Sequence, residues 1–314
     1  MKAWIAFVTV SLVWGAFFFG IALAIESFTP YGMVATRYLA SGLIALALSR
    51  ALGEEWPRRR DLPHIMFQGF LLLTAASALV AWAERYVSSG VAAVLCSTTP
   101  LFYAVLGREK LGPSSWAGLV LGLGGVAIVV LSRSGAQRLD LLGIAGIMLA
   151  VFLWAYGTLH GRRHVQGRGV LGQVGVQMLT GGILGLLLVP FTGGFLHAPF
   201  TWRAGLALAI LVVLVDLTGF SAFLYISRVW PPTRMSAYVY VNPLVGVGLG
   251  CWVLKERFTL AMAVGMVVIL AGVALLQMTK AEGEKALADP AAAGRDSRTS
   301  PRSASRSKGT SPAS

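Results

Sequence analysis

Gly90-Val-Ala-Ala-Val-Leu-Cys-Ser-Thr-Thr-Pro100-Leu101 returns in outline later in the chain as Thr233-Arg-Met-Ser-Ala-Tyr-Val-Tyr-Val-Asn-Pro243-Leu244. A charged triplet follows each copy, Arg108-Glu109-Lys110 and Lys255-Glu256-Arg257. A glycine stands nine residues past each glutamate (Gly118, Gly265) and another sixteen past it (Gly125, Gly272). Both copies lie in apolar runs of membrane-spanning length. A membrane segment written twice points to transport, because two half-units meeting around one site can expose it to either side in turn.

Of the 314 residues, 56% are hydrophobic and only 12% are charged, about half the charged share of a soluble domain. In lipid every backbone polar group must pair internally, which leaves helices or closed barrels. The apolar runs are continuous rather than alternating, so the expected fold is all-α and integral to the membrane. Ten spans are expected: Trp4–Ile25, Tyr31–Ser49, Ile65–Ala83, Val87–Gly107, Leu111–Ser132, Leu141–Gly161, Val170–Pro190, Ala204–Ile226, Met235–Leu254 and Phe258–Thr279. The first is too long for a signal-peptide core and lacks a small-residue cleavage site, so it reads as an uncleaved span. Cys96 and Cys251 fall inside spans and imply no disulfide framework.

The net charge of +13 is distributed as an insertion signal, not as a nucleic-acid footprint. With the N-terminus placed in the cytoplasm, twelve basic residues fall in connections on that side and six on the other, before the basic tail is counted. The positive-inside rule therefore puts both termini in the cytoplasm, and the chain in the cell (inner) membrane as a multi-pass protein. Five spans precede about residue 137 and five follow it up to 280, so residues 1–137 and 138–280 form two units. An odd number per unit makes the second enter the membrane with opposite polarity: two inverted five-helix repeats. Residues 281–314, rich in Ala, Ser, Arg, Pro and Gly with no aromatic residue, read as a disordered basic cytoplasmic tail.

These residues resemble the EamA-type family of the drug/metabolite transporter superfamily. The resemblance covers both halves. It rests on Trp14-Gly15, on Arg37 in the second span, on Pro100 and Pro243, and on Glu109/Gly118/Gly125 with Glu256/Gly265/Gly272. It implies ten helices, cytoplasmic termini, a central cavity between two units, and alternating access without ATP. Its cargo would be small organic metabolites, such as amino acids or related compounds, often moved outward. The Pro100–Glu109 spacing is four residues shorter than Pro243–Glu256. The fourth span is thus expected to end about one turn before the ninth.

An ionised side chain at mid-bilayer costs about 2.5–3.5 kcal/mol on insertion scales, and few chains keep one without a use. Arg37 and Asp216 are the two clear cases. Arg37 could anchor a carboxylate or phosphate with its fork of donors, or brace helix ends or a fixed acid. Asp216 could carry a coupling proton, meet a substrate amine, or pair with Arg37. Pro100 and Pro243 free backbone carbonyls that must then face protein, substrate or water, with Thr99, Tyr103, Tyr238, Tyr240 and Asn242 beside them. They are the expected kinks or gates, and their neighbours the expected cavity lining. Trp14, Trp82, Trp154 and Tyr156 complete the candidate lining. Trp4, Trp56, Trp202 and Trp230 are expected at the membrane interface. Gln177 is a lone amide suited to joining helices.

There is no Walker loop, no Cys/His metal pattern and no paired-aspartate motif, and the four histidines are scattered near span ends. The expected cofactor and metal complement is accordingly none. The expected partners are a small-molecule substrate and the lipid bilayer, with no nucleic acid, and the chain acts as a monomer or homodimer. The rival reading is a membrane-embedded enzyme acting on lipid or prenyl substrates, which would need clustered acids or metal ligands at helix ends.

Overall fold

The computed structural model describes residues 1–83, 86–87, 92, 95–133, 140–167, 169–191, 193–253 and 259–288. The elements run α1 (Lys2–Ala24), α2 (Pro30–Ala51), α3 (Leu62–Gly69), a first π segment (Phe70–Ala76), α4 (Ser77–Ala83), α5 (Thr99–Gly107) and α6 (Pro113–Arg133). They continue with α7 (Leu141–His164), α8 (Val170–Leu188), α9 (Trp202–Ile210), a second π segment (Leu211–Gly219), α10 (Phe220–Val229), α11 (Pro232–Met235), α12 (Tyr238–Val253) and α13 (Leu260–Ala288). Among the described residues seven helices are long and apolar enough to cross a membrane. They match the expected second, third, fifth, sixth, seventh, eighth and tenth spans. The first, fourth and ninth fall on α1, α5 and α12, and most of Val87–Val94 lies outside the described residues.

Local chemistry sets the helix starts. Thr29 caps α2 through the Gly32 N–H at 3.0 Å, with Pro30 in the first turn. Asp140 caps α7 through the Leu142 N–H at 2.7 Å, and Thr201 caps α9 through the Ala204 N–H at 3.2 Å. Each satisfies an amide that has no partner within its own helix. The start of α8 is capped from another connection. The Glu54 carboxylate accepts from the N–H groups of Val170 (2.9 Å), Leu171 (2.8 Å) and Gly172 (3.2 Å).

Two interfaces dominate the packing, α6 on α13 and α2 on α8. A Cβ on Gly118 would stand 2.9 Å from the Gly272 carbonyl oxygen, and one on Gly272 would stand 2.8 Å from that of Gly118. Gly125 and Gly265 meet in the same reciprocal way, at 2.9 and 3.0 Å. As one number rises the other falls, so these helices are antiparallel, and only glycine permits so close an approach. Elsewhere α1 packs on α12 and on the helix carrying the second π segment, while α7 packs on α5 and on the helix carrying the first.

Two details differ from expectation, the place of Pro100 and the end of the last helix, while the fourth span ends at Gly107 as expected. Pro243 does sit inside a helix, α12, but Pro100 stands in the first turn of α5, after a turn at Ser97-Thr98. Its missing N–H is harmless there, so Pro100 starts a helix where Pro243 sits inside one. Helix α5 ends at Gly107, with Arg108 left-handed at φ 50°. The last helix runs to Ala288, eight residues past Lys280. The expected repeat boundary at 137/138, and the tail beyond residue 288, lie outside the described residues.

Candidate functional site

Arg37 sits two turns into α2, facing the second π segment. Its Nε donates to Asp216 Oδ2 at 2.8 Å and its Nη2 to Oδ1 at 2.6 Å. Ser41, one turn further along α2, donates to Oδ2 at 2.8 Å. Both charged side chains are buried, 4% and 1% exposed. The fork therefore meets the carboxylate edge to edge, which is the geometry that best repays desolvation of an ion pair.

The π segment is part of this site. Its wider i→i+5 turns leave carbonyls short of regular partners, and such bulges recur at functional positions. The Trp14 indole N–H points at the Val215 carbonyl at 3.5 Å, and Thr218 Oγ1 donates to the Val213 carbonyl at 2.8 Å. The first π segment has the matching feature: Ser77 Oγ donates to the Leu72 carbonyl at 3.3 Å. In both, a hydroxyl reaches the carbonyl five residues back.

Beside this pair the aromatic candidates converge. The Trp14 ring centroid lies 5.8 Å from that of Trp154, 5.2 Å from Phe223 and 5.2 Å from Tyr238. Tyr103 is fully buried and donates to Thr158 Oγ1 at 3.0 Å. With its amide nitrogen turned inward, Asn242 donates to the carbonyls of Ser11 (3.2 Å) and Tyr238 (3.0 Å).

The other candidates are placed differently. Tyr240 is buried against Gly122 and donates to the Leu119 carbonyl at 3.3 Å, in the α6–α12 contact. Thr99 donates to the Cys96 carbonyl at 2.6 Å. Trp82 packs on Tyr86 and against Gly146 of α7. Tyr156 faces outward, 41% exposed, stacked near Phe152. Trp230, expected at the interface, is buried against Phe7 and the exposed Trp4, under the Arg234 guanidinium at 4.3 Å.

At the face that carries the N-terminus lies a polar cavity of about 270 Å³, lined by Gln68, Arg162, Gln166, Gln173, Ser227 and Arg228 among others. Arg162 donates to the carbonyls of Ser227 and Trp230, and Arg228 to the Gln173 side chain. Gln173 and Gln177 both donate to Gln68 Oε1, at 3.0 and 2.8 Å. At the opposite face two connections, 25–29 and 193–201, are tied together. Thr29 donates to the Gly194 carbonyl at 2.6 Å, Ser27 to the Pro199 carbonyl at 3.0 Å, and the His197 N–H to the Ser27 carbonyl at 3.1 Å.

The sequence profile of the EamA-like transporter family matches this chain twice, over residues 1–131 and 141–278. The chain belongs to the EamA-like transporter family. It is 30% identical over 273 residues to the uncharacterized inner membrane transporter YedA of Escherichia coli (strain K12), covering 86% of this chain and 88% of that one. It is 27% identical over 266 residues to the uncharacterized transporter YdfC of Bacillus subtilis (strain 168), over 83% and 86% of the two chains. At 27% identity over 288 residues (88% and 93%) it also resembles a protein described as a probable terminal-alkyne amino-acid exporter of Streptantibioticus cattleyicolor. One solved crystal structure shares the fold, with a TM-score of 0.74 at 18% identity, covering 87% of this chain and 95% of that one. The chain is thus a multi-pass membrane protein of a transporter family.

In this EamA-like transporter the residues that sequence reasoning missed are Gln68, Gln173, Arg162 and Arg228. A signal existed for two of them. Gln173 and Gln177 are one turn apart in a span without charge, so their amides share a face. Gln177 does join helices, as expected, but as part of a set with Gln68 and Gln173. Three of the four histidines, expected to be scattered, come together, while His197 lies apart. His64, His160 and His164 gather where α3 meets α7.

Proposed function

We propose that this chain is a secondary transporter that exports a small carboxylate-bearing metabolite, an amino acid or related compound, by alternating access. The two matched segments act as inverted five-helix repeats, and both termini lie in the cytoplasm. The observation that carries this reading is the polar cavity with two arginines at the N-terminal face, while at the opposite face residues 25–29 and 193–201 are tied together. Reciprocal packing supports the repeat reading, since each contact of α1 with the second segment has a counterpart from α7 to the first.

On this reading substrate enters from the N-terminal face, its carboxylate drawn to Arg162 and Arg228, which donate to carbonyl and amide oxygens and also interact electrostatically with Glu109 and Glu54. It then moves toward Trp14, Trp154 and Tyr238. The description of the relative from Streptantibioticus cattleyicolor as a probable terminal-alkyne amino-acid exporter agrees with that chemistry. The test compares efflux of a labelled amino-acid panel from cells with and without the protein, followed by mass spectrometry. Accelerated efflux of at least one carboxylate, lost in Arg228→Gln and kept in Arg59→Gln, is expected. Equal efflux of the whole panel with and without the protein rejects the reading.

A further inference from the structure

Three imidazoles meet where α3 comes against α7, at the same face as the polar cavity. His64 Nδ1 lies 3.1 Å from His160 Nε2, and one ring nitrogen from each of His64, His160 and His164 lies within 4.8 Å of the others. His160 and His164 are one turn apart on α7, with ring centroids 4.2 Å apart, and His64 stacks on His164 at 4.7 Å. We propose that these three side chains form a binding site for a divalent transition-metal ion of the zinc type. Occupancy would pin α3, in the first family-matched segment, to α7, in the second.

Four observations carry this. Neutral imidazole suits zinc, copper and nickel, and three histidines with an open fourth position are an established zinc ligand set. Around an ion with metal–nitrogen bonds of about 2.0–2.1 Å, tetrahedral ligand atoms stand roughly 3.3 Å apart. The His64–His160 pair, at 3.1 Å, is already close to that separation, and a ring nitrogen of His164 lies within 4.8 Å of both. His164 Nδ1 lies 2.9 Å from the His160 carbonyl oxygen. Donation to that carbonyl fixes the tautomer and leaves Nε2 to ligate, as an outer hydrogen bond does in metal sites. Access is open, since His164 is exposed and the other two rings are half-buried. The neighbouring cation, Arg163, is engaged with the Leu106 carbonyl of α5 at 3.4 Å.

The inference does not depend on the transport reading, because its test reads binding. Full-length protein without an affinity tag, purified in detergent, is titrated with zinc chloride against a chromophoric chelator. One zinc ion per chain is expected. His164→Ala and His64→Ala should each weaken it by about 10–100-fold or more, since losing a ligand costs no less than losing an outer partner. His197→Ala, at the opposite face, should leave it unchanged. Zinc at about 100 times its Kd should raise the Tm of the wild type and not that of His164→Ala. His164 is exposed, and matching Tm values in excess chelator check that its removal leaves the fold intact. The wild-type stoichiometry needs no variant. Uptake of less than about half an ion per chain, or equal uptake by His64→Ala/His160→Ala/His164→Ala, overturns the proposal.

Discussion

Arg37 and Asp216 each stood out as an isolated ionisable group in an apolar span, and their pairing was among the readings open from sequence. The geometry makes them one unit with Ser41. Removing one partner leaves the other charge buried and alone, whereas replacing both with apolar groups removes the desolvation penalty too. Asp216→Asn will therefore lower stability by about 3–5 kcal/mol, and Arg37→Met/Asp216→Leu by clearly less. Denaturation in detergent, followed by tryptophan fluorescence, checks both, and equal losses would show that the pair is not acting as a unit. Trp14→Ala empties the centre of a ring cluster and will cost about 3–5 kcal/mol in the same assay. What the sequence hid here has a physical cause. The i→i+5 turns around Asp216 arise from packing and from which carbonyls find partners, and Leu211–Gly219 has no composition that marks them. The histidine cluster was hidden for a similar reason: His64 is 96 residues from His160, and only the α3–α7 contact joins them.

At the scale of elements the pattern of glycines was the most legible feature, because it records how close two backbones come. Gly118, Gly125, Gly265 and Gly272, spaced alike after Glu109 and Glu256, form the α6–α13 seam. Gly272→Val drives a branched side chain into the backbone at Gly118 and Gly122, and overpacking of that kind costs about 1–3 kcal/mol or more. Gly124, whose added Cβ would meet nothing within 4 Å, provides the contrast: Gly124→Ala will leave the Tm unchanged or slightly raised. If Gly124→Ala and Gly272→Val are equally harmful, the seam is not set by close approach. The helix start at Val170 was less legible, because its cap comes from Glu54, over a hundred residues away. Glu54→Gln keeps one of the two acceptor oxygens, sets an NH2 donor where the other accepted, and loses the charge at a helix N-terminus, the charge alone being worth about 0.3–1 kcal/mol; a Tm decrease that Glu55→Gln does not share is expected.

For the whole molecule, the sequence carried the membrane class and the family, since both rest on composition and on motifs repeated in order. It did not carry the state of the two faces, which depends on contacts such as Thr29 to Gly194 between distant connections. Sidedness is directly testable. Arg58 lies in the connection before α3, and Asp140 caps α7. If α3 with α4, the helix ending in α5, and α6 each cross once, three crossings separate these residues and they face opposite sides of the membrane. The positive-inside bias then puts Arg58 in the cytoplasm. In a Cys96→Ala/Cys251→Ala background, a membrane-impermeant maleimide applied to intact cells will label Asp140→Cys and spare Arg58→Cys. Permeabilised cells will label both. Labelling of both from outside would mean an even number of crossings between them. The first segment could not then hold five spans, and the inverted pairing of the halves, with the exchange of open faces built on it, would fail together.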